Sequence, residues 1–193
     1  MCLTYNIYMY KNKPIIKKFI ASVTITLLSL SSLTAQAKDK DTVVKAGDAL
    51  ELLIPAAAAG IAWGKEDMTG FWQLAKAEVT TVVVSEGLKY SVNEKRPNGD
   101  KHSFPSAHTS VTFTSAQYLQ QRYGWEYGVP AYLASTFVGY SRVHGKEHYW
   151  RDVIAGAGIG MASGAYFTEP LFGAKVVLTP LPGQMSITAS KSW

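Results

Sequence analysis

Residues 141–168 read SRVHGKEHYWRDVIAGAGIGMASGAYFT, and the second half of this stretch is uncharged and rich in glycine and alanine. Gly156, Gly160 and Gly164 recur every four residues, which places them along one side of an α-helix. A stripe without side chains lets the backbone of a second helix approach closely. The uncharged run over 153–168 is shorter than the roughly 20 apolar residues that span a bilayer. The stretch therefore predicts one helix of a compact bundle.

The rest of the chain after residue 47 also has mostly helical patterns. Ser106 is a suitable N-cap for the helix that follows it. The tail differs, because apolar and polar residues alternate over 185–190 after a turn at 180–183, which predicts a short β-hairpin with the strand 176–179. The fold class predicted is all-α, a helical bundle with a short C-terminal hairpin. The predicted helices cover 48–63 (kinked or interrupted at Pro55), 71–90, 106–122, 129–141 and 152–167.

The first 37 residues have the composition of a secretory signal peptide. They contain four lysines and no acidic residue, then an uncharged stretch over 19–37 that ends Ala35-Gln36-Ala37. Such a segment would direct export to the periplasm and be removed by cleavage after Ala37, and an uncleaved membrane anchor is the alternative. We therefore predict a signal peptide over 1–37, a flexible leader over 38–47 and a single domain over 48–193.

The composition of the chain excludes several classes of protein. The chain has 193 residues, a formal charge of +5 and one cysteine. Its 47% hydrophobic content excludes a disordered chain, and one cysteine excludes a disulfide framework. The four leader lysines and Cys2 lie in the predicted signal peptide, so the mature chain is nearly neutral. No nucleic-acid partner is therefore expected.

His148 and Asp152 form the first chemical cluster. They are four residues apart, which on a helix places one above the other. A carboxylate that binds one imidazole nitrogen leaves the other nitrogen available as a nucleophile. A purely structural pair at a helix start is the alternative.

Two further clusters contain groups that bind anions. Ser106 and the first amides of its helix can hold an anion, and His108 lies in the first turn of the same helix. Lys89, Arg96 and, a short loop before His148, Arg142 supply cations suited to phosphate oxygens. Taken singly, each of these residues is also compatible with an ordinary solvated surface.

Metal binding is the rival interpretation of the histidines. His144 and His148 are four residues apart with Glu147 between them, a spacing that can hold zinc. Gly145 disfavours a regular helix there, and no third ligand follows from the spacing. We therefore predict no metal and no other cofactor.

Together, K-x6-RP (Lys89, Arg96, Pro97), PSAH (105–108) and SR-x5-H-x3-D (141–152) resemble the three-part signature of the type 2 phosphatidic acid phosphatase superfamily. The resemblance implies the all-α fold shared by bacterial acid phosphatases, lipid phosphatases and vanadium haloperoxidases. It also implies that His148 attacks phosphorus, that Asp152 orients it and that His108 protonates the leaving oxygen. The phosphoryl oxygens would be held by Lys89, Arg96, Ser106, Arg142 and the amide of Ala107. Position 107 is Ala where this family most often has Gly.

The function expected from this resemblance is hydrolysis of a phosphate or pyrophosphate group through a phosphohistidine, with a membrane lipid as the expected substrate. A soluble periplasmic acid phosphatase acting on small esters is the nearest alternative. A vanadium-dependent haloperoxidase and a non-catalytic phosphate- or lipid-binding protein are further alternatives. The expected partners are a phosphorylated lipid or small ester and the membrane surface.

Overall fold

The computed structural model describes residues 40–171, 174–181 and 184–191. The predicted signal peptide lies outside these residues. The described part contains five helices followed by two antiparallel strands, so the all-α prediction is confirmed. The strands pair from Ala174 with Lys191 to Leu181 with Gln184, which is the predicted hairpin. The elements are α1 (Lys40–Gly64), α2 (Met68–Val92), α3 (Ala107–Tyr123), α4 (Trp125–His144), α5 (Trp150–Phe167), β1 (Ala174–Leu181) and β2 (Gln184–Lys191).

The helix α3 is the centre of the bundle and packs against all four other helices. Its contacts with α2 include two pairs of buried hydroxyl groups. The Oγ1 atoms of Thr81 and Thr114 lie 2.8 Å apart, and the Ser85 hydroxyl donates to Ser110 Oγ at 3.1 Å. Because buried hydroxyls must be paired to avoid a desolvation cost, these bonds fix how α2 sits against α3.

The predicted glycine stripe is the contact surface between α5 and α3. A Cβ atom on Gly156 would lie 2.5 Å from the backbone oxygen of Ser106. One on Gly160 would collide with the backbone oxygen of Ser110. Only glycine permits this approach, so the sequence-based prediction of a close backbone contact is confirmed. The contact places the start of α5 directly beside the start of α3.

Replacing Gly156 with alanine is expected to lower the free energy of unfolding by about 1–3 kcal/mol, the usual cost of overpacking. The added methyl group meets backbone, which cannot rotate away as a side chain can. The matched control is Gly158→Ala on the same helix, where a Cβ meets nothing within 4 Å. Thermal unfolding of the two variants checks the prediction, and equal midpoints would contradict it.

The first helix starts earlier than the sequence predicts. Residues 40–47 form the first two turns of α1 rather than a flexible leader, and the helix continues through Pro55. Tertiary contacts explain the early start. Val43 is buried, and the carbonyl of Val44 accepts a hydrogen bond from Arg142 Nη2 at 2.8 Å. Gly47 lies so close to Ser141 that a Cβ there would collide with it.

The outer surface of the bundle is apolar. Large aliphatic side chains are exposed at the middle levels of α1, α2, α4 and α5, and exposed aromatic side chains lie nearer the helix ends. Within the described residues, α1 is the one helix long and apolar enough to cross a membrane. The exposed large hydrophobic residues are Leu52, Leu53, Val79, Val82, Val83, Val84, Leu133 and Met161 at mid-height, Trp63, Met68, Trp72, Trp125, Val129 and Tyr166 toward one end, and Tyr90, Val92, Tyr140, Tyr149, Trp150 and Ile154 toward the other.

Candidate active site

One end of the bundle gathers the residues that the sequence singled out. This end comprises the first half of α1, the end of α2, the start of α3, the end of α4 and the start of α5. Two loops complete it, over 93–106 and 145–149. Lys89 lies in the last turn of α2, and Arg96 lies in the first loop. His108 is in the first turn of α3, and His148 is in the second loop.

His148 and Asp152 are close neighbours, but not on one helix face as the spacing suggested. His148 lies in the loop one residue before the N-cap of α5, and Asp152 is in the first turn of α5. Their side chains are 2% and 0% exposed, and His148 Nδ1 lies 3.6 Å from Asp152 Oδ2. That separation is too long for a hydrogen bond. Catalytic hydrogen bonds are often long without substrate and shorten when it binds.

Asp152 accepts three hydrogen bonds from residues outside α5, which hold it in place. Its Oδ2 accepts from the Ser103 hydroxyl at 2.5 Å and from the Tyr149 amide at 3.0 Å. Its backbone oxygen accepts from the Ser106 amide at 3.1 Å. Sequence reasoning missed Ser103, which is fully buried, because a single serine in a polar loop carries no distinguishing pattern.

The environment of His148 favours the neutral imidazole. Burial lowers the pKa of His148 below its usual value of 6.5, and the cations Arg96 and Lys89 lower it further. A hydrogen bond to the Ser103 backbone and the charge of Asp152 act in the opposite direction without reversing the shift. The net direction of the pKa shift favours an uncharged imidazole at neutral pH.

This shift predicts the acid side of the pH profile. A lowered pKa in the folded protein means that His148 stays neutral, and able to attack, as the pH falls through 6.5. We expect kcat/KM for an ester with a good leaving group to hold its value from pH 7.5 to below pH 6.5 and to fall only at more acidic pH. Steady-state rates across pH 4.5–8 test this. An acid limb centred at 6.5 would contradict the environment described for His148.

The two cations beside His148 are held differently. Lys89 Nζ bonds to Glu86 Oε1 at 3.0 Å, and the Lys89 side chain is 12% exposed. The backbone of Arg96 closes a tight loop, since its amide donates to Asp100 O at 2.7 Å and its carbonyl accepts from Gly99 at 3.0 Å. Arg96 Nε is buried without a hydrogen-bond partner among the described residues. A buried guanidinium nitrogen in that state is suited to an incoming anion.

The start of α3 supplies backbone donors. Ser106 is the N-cap residue, as predicted, but its hydroxyl bonds to Thr109 Oγ1 at 3.0 Å and not to a helix amide. The first amides of a helix have no partner within it, and the helix dipole favours an anion there. Ala107 is the first residue of α3, and its φ is not positive. Alanine therefore replaces the usual glycine at this position without backbone strain.

His108 and Arg142 make contacts that the sequence did not suggest. Arg142 is 1% exposed, and its Nη1 bonds to Asp48 Oδ1 at 2.7 Å and to Glu147 Oε2 at 2.9 Å. His108 Nε2 lies 2.9 Å from Glu51 Oε2 and 3.5 Å from Asp48 Oδ1. Asp48 and Glu51 come from α1. The predicted acid and the predicted third cation are thus both bound by carboxylates, and Asp48 bridges them.

The remaining two histidines lie at the edge of this end of the bundle. The His144 ring stacks on Tyr140 with centroids 5.5 Å apart, and the His102 ring lies 4.9 Å from that of Tyr90. Across the described ranges, no three His, Cys, Asp or Glu side chains are grouped so as to hold a metal ion.

The fold and the site together define a class. An all-α bundle places a buried histidine, its carboxylate and several cations next to a helix N-terminus. These groups are suited to binding and transferring a phosphoryl group. A family model described as the PAP2 superfamily matches residues 70–172, more than half of the chain. The chain belongs to the PAP2 superfamily.

Similar proteins include two curated lipid A 1-phosphatases. The one from Porphyromonas gingivalis is 37% identical over 81 residues, which are 39% of this chain and 18% of that protein. The one from Helicobacter pylori strain 26695 is 24% identical over 115 residues, 55% of this chain and 60% of that protein. The chain thus spans less than two thirds of either relative.

Solved structures agree on the fold. The crystal structure of Aquifex aeolicus LpxE matches with a TM-score of 0.59 and 22% identity. The match covers 72% of this chain and 93% of that one. At this level of identity the likeness shows a shared fold.

Proposed function

We propose that this protein is a phosphatase that removes a phosphate group from a membrane lipid through a phosphohistidine intermediate, with no metal cofactor. One observation carries the proposal. His148 is almost fully buried with the carboxylate of Asp152 3.6 Å from its Nδ1, and burial together with the charges of Arg96 and Lys89 lowers its pKa and favours the neutral imidazole. Membership of the PAP2 superfamily supports the same reaction class.

In the first step, His148 Nε2 attacks phosphorus, since Nδ1 is the nitrogen nearer Asp152. The N–P bond forms as the P–O bond to the alcohol breaks, and His108 gives its proton to the departing oxygen. Lys89, Arg96 and the first amides of α3 offset the charge on the equatorial oxygens. Arg142 would join them by sharing its guanidinium between the phosphate and the carboxylates that already bind it.

In the second step, water attacks the phosphohistidine. His108, now neutral, takes a proton from the water as the N–P bond breaks. Inorganic phosphate leaves, His148 returns to the neutral form and His108 to the protonated form. Asp152 stabilises the positive charge that His148 carries while it is phosphorylated.

A lipid substrate is supported by the surface of the bundle. Exposed aliphatic side chains at mid-height, with aromatic side chains toward both ends, match the profile of a protein surrounded by lipid. Among the described residues, α1 is the one helix apolar and long enough to span a bilayer, and only 22% of its apolar window is buried. We therefore propose that the bundle sits in a membrane, with the site at the level of the lipid headgroups. Export through the N-terminal segment would place that site on the periplasmic side.

Among lipid phosphates, the phosphate of lipid A is the first candidate, because the curated relatives are lipid A 1-phosphatases. Phosphatidic acid, phosphatidylglycerol phosphate and polyprenyl pyrophosphate present the same phosphate group to the site. The choice among them depends on the rest of the headgroup.

The test is phosphate release by the purified full chain in detergent. The panel comprises these four lipid substrates, p-nitrophenyl phosphate and a water-soluble sugar phosphate, each with and without EDTA. We expect lipid substrates to be preferred, EDTA to have no effect and orthovanadate to inhibit. Preference for the sugar phosphate would favour the soluble acid phosphatase. Activity lost to EDTA and restored by zinc would overturn the phosphohistidine mechanism, and no hydrolysis of any ester would overturn the function.

A further inference from the structure

The carboxylate of Glu51 makes the shortest contact of the His108 imidazole. Glu51 Oε2 lies 2.9 Å from His108 Nε2, and the two side chains are 25% and 30% exposed. Asp48, one turn earlier on α1, lies 3.5 Å from the same nitrogen. Both carboxylates therefore lie next to Nε2. A proton delivered to substrate must then come from Nδ1.

This contact resembles the one between the other histidine of the site and its carboxylate. Asp152 lies beside Nδ1 of His148 and leaves Nε2 to react, whereas Glu51 binds Nε2 of His108 and leaves Nδ1. A carboxylate on one imidazole nitrogen fixes the ring orientation and the position of the proton. The site thus contains two imidazole–carboxylate pairs, in which the carboxylate lies beside Nδ1 of the nucleophile but beside Nε2 of the acid.

The carboxylate comes from a part of the chain that the family model does not match. The matched segment is 70–172, and Glu51 and Asp48 lie before it on α1. The early start of α1 fixes their position, because Val44 and Gly47 anchor this part of the helix against Arg142 and Ser141.

We propose that Glu51 is a positioning residue for the general acid: it holds the His108 ring through Nε2, so that the Nδ1 proton reaches the leaving oxygen. Asp48 supports this arrangement by linking His108 to Arg142. The proposal rests on the proposed function. When the P–O bond breaks, the Nδ1 proton moves to the alcohol oxygen and the His108–Glu51 bond is retained. In the hydrolytic step the same nitrogen takes the proton back from water.

The experiment compares substrates whose leaving groups need protonation to different extents. An alkyl or lipid phosphate has a poor leaving group, and p-nitrophenyl phosphate has a good one. The quantity compared is kcat/KM, because it reports phosphoryl transfer and not the hydrolysis of the phosphohistidine, which both substrates share. For Glu51→Ala we expect kcat/KM on the alkyl phosphate to fall about 10–100-fold, the usual effect of losing a carboxylate that orients an imidazole. On p-nitrophenyl phosphate kcat/KM should fall far less. Glu51→Gln retains an acceptor for Nε2–H and should recover part of the loss.

A double-mutant cycle separates positioning from a merely structural role. If Glu51 acts through His108, Glu51→Ala adds nothing to the loss already caused by His108→Ala. The matched control is Glu126→Gln, an exposed glutamate in the first turn of α4. Equal losses on both substrates, or full additivity with His108→Ala, would overturn the inference while the phosphatase function stands. A wild-type chain inactive on every phosphate ester would instead overturn the function on which it rests.

Discussion

Replacing His148 with alanine is expected to abolish turnover, with kcat falling about 10⁴-fold or more. The variant loses the atom that attacks phosphorus, and the cations and helix amides that remain can bind the phosphate group but cannot accept it. The phosphoenzyme should disappear as well. In the wild-type protein, a brief reaction with a radiolabelled substrate should trap a protein-bound phosphate that is labile in acid and stable in base.

The control for this prediction is His144→Ala, four residues away. His144 is exposed at the end of α4 and stacks on Tyr140, so its loss should leave turnover and labelling intact. Activity retained by His148→Ala, or label that survives in it, would remove His148 as the nucleophile. A fall in both variants would indicate that the loop 145–149 had lost its structure.

Asp152→Asn is expected to lower kcat by about 10²–10⁴-fold with little change in stability. The hydrogen bonds explain why the two effects separate. Oδ2 accepts from Ser103 and Tyr149, and an amide oxygen in the same place can accept both. Oδ1 accepts no hydrogen bond among the described residues, and its 3.7 Å ion-pair contact is with Nε of Arg151, an exposed side chain. An NH2 group in its place therefore breaks no hydrogen bond and loses only a weak surface ion pair. The substitution therefore removes mainly the negative charge that stabilises phosphorylated His148.

The measurement is kcat together with the thermal unfolding midpoint, using Asp100→Asn as the matched control. Asp100 lies in an exposed turn, and its side chain accepts from Asn98, which an amide oxygen can also do. Its contact with the Arg96 amide is made by the backbone oxygen, which the substitution retains, so neither quantity should change. A stable Asp152→Asn protein with wild-type kcat would contradict the electrostatic role. A large loss of stability would show that the carboxylate acts mainly as a cap of α5.

The sequence predicted the parts of the fold whose patterns are local. Helical periodicity located all five helices, and the four-residue glycine repeat identified the surface on which α5 meets α3. The start of α1 could not be predicted, because residues 40–47 are charged and become helical through contacts with Ser141 and Arg142, about a hundred residues later. Local composition carries no record of such distant contacts.

The candidate site likewise contains residues that the sequence predicts and residues that it does not. Lys89, Arg96, Ser106, His108, Arg142, His148 and Asp152 could be selected because they form three spaced motifs, and all of them lie at one end of the bundle. Ser103, Asp48 and Glu51 could not. A lone serine in a loop and two acids in the first half of a helix resemble ordinary surface residues, and their importance depends on which side chains the fold brings beside them.

Because α3 makes contacts through buried hydroxyl groups, we expect the interior and exterior positions of this bundle to tolerate different substitutions from those of most soluble proteins. In most soluble proteins, interior positions accept one aliphatic residue for another, and exterior positions accept almost any polar one. Here the interior positions Thr81, Ser85, Ser110 and Thr114 need a small residue with a hydroxyl group. If the bundle sits in a membrane as proposed, exterior positions such as Val83 and Leu133 should accept any aliphatic residue and resist charge. We therefore expect the outside of the bundle to tolerate the most substitutions, but only among aliphatic residues.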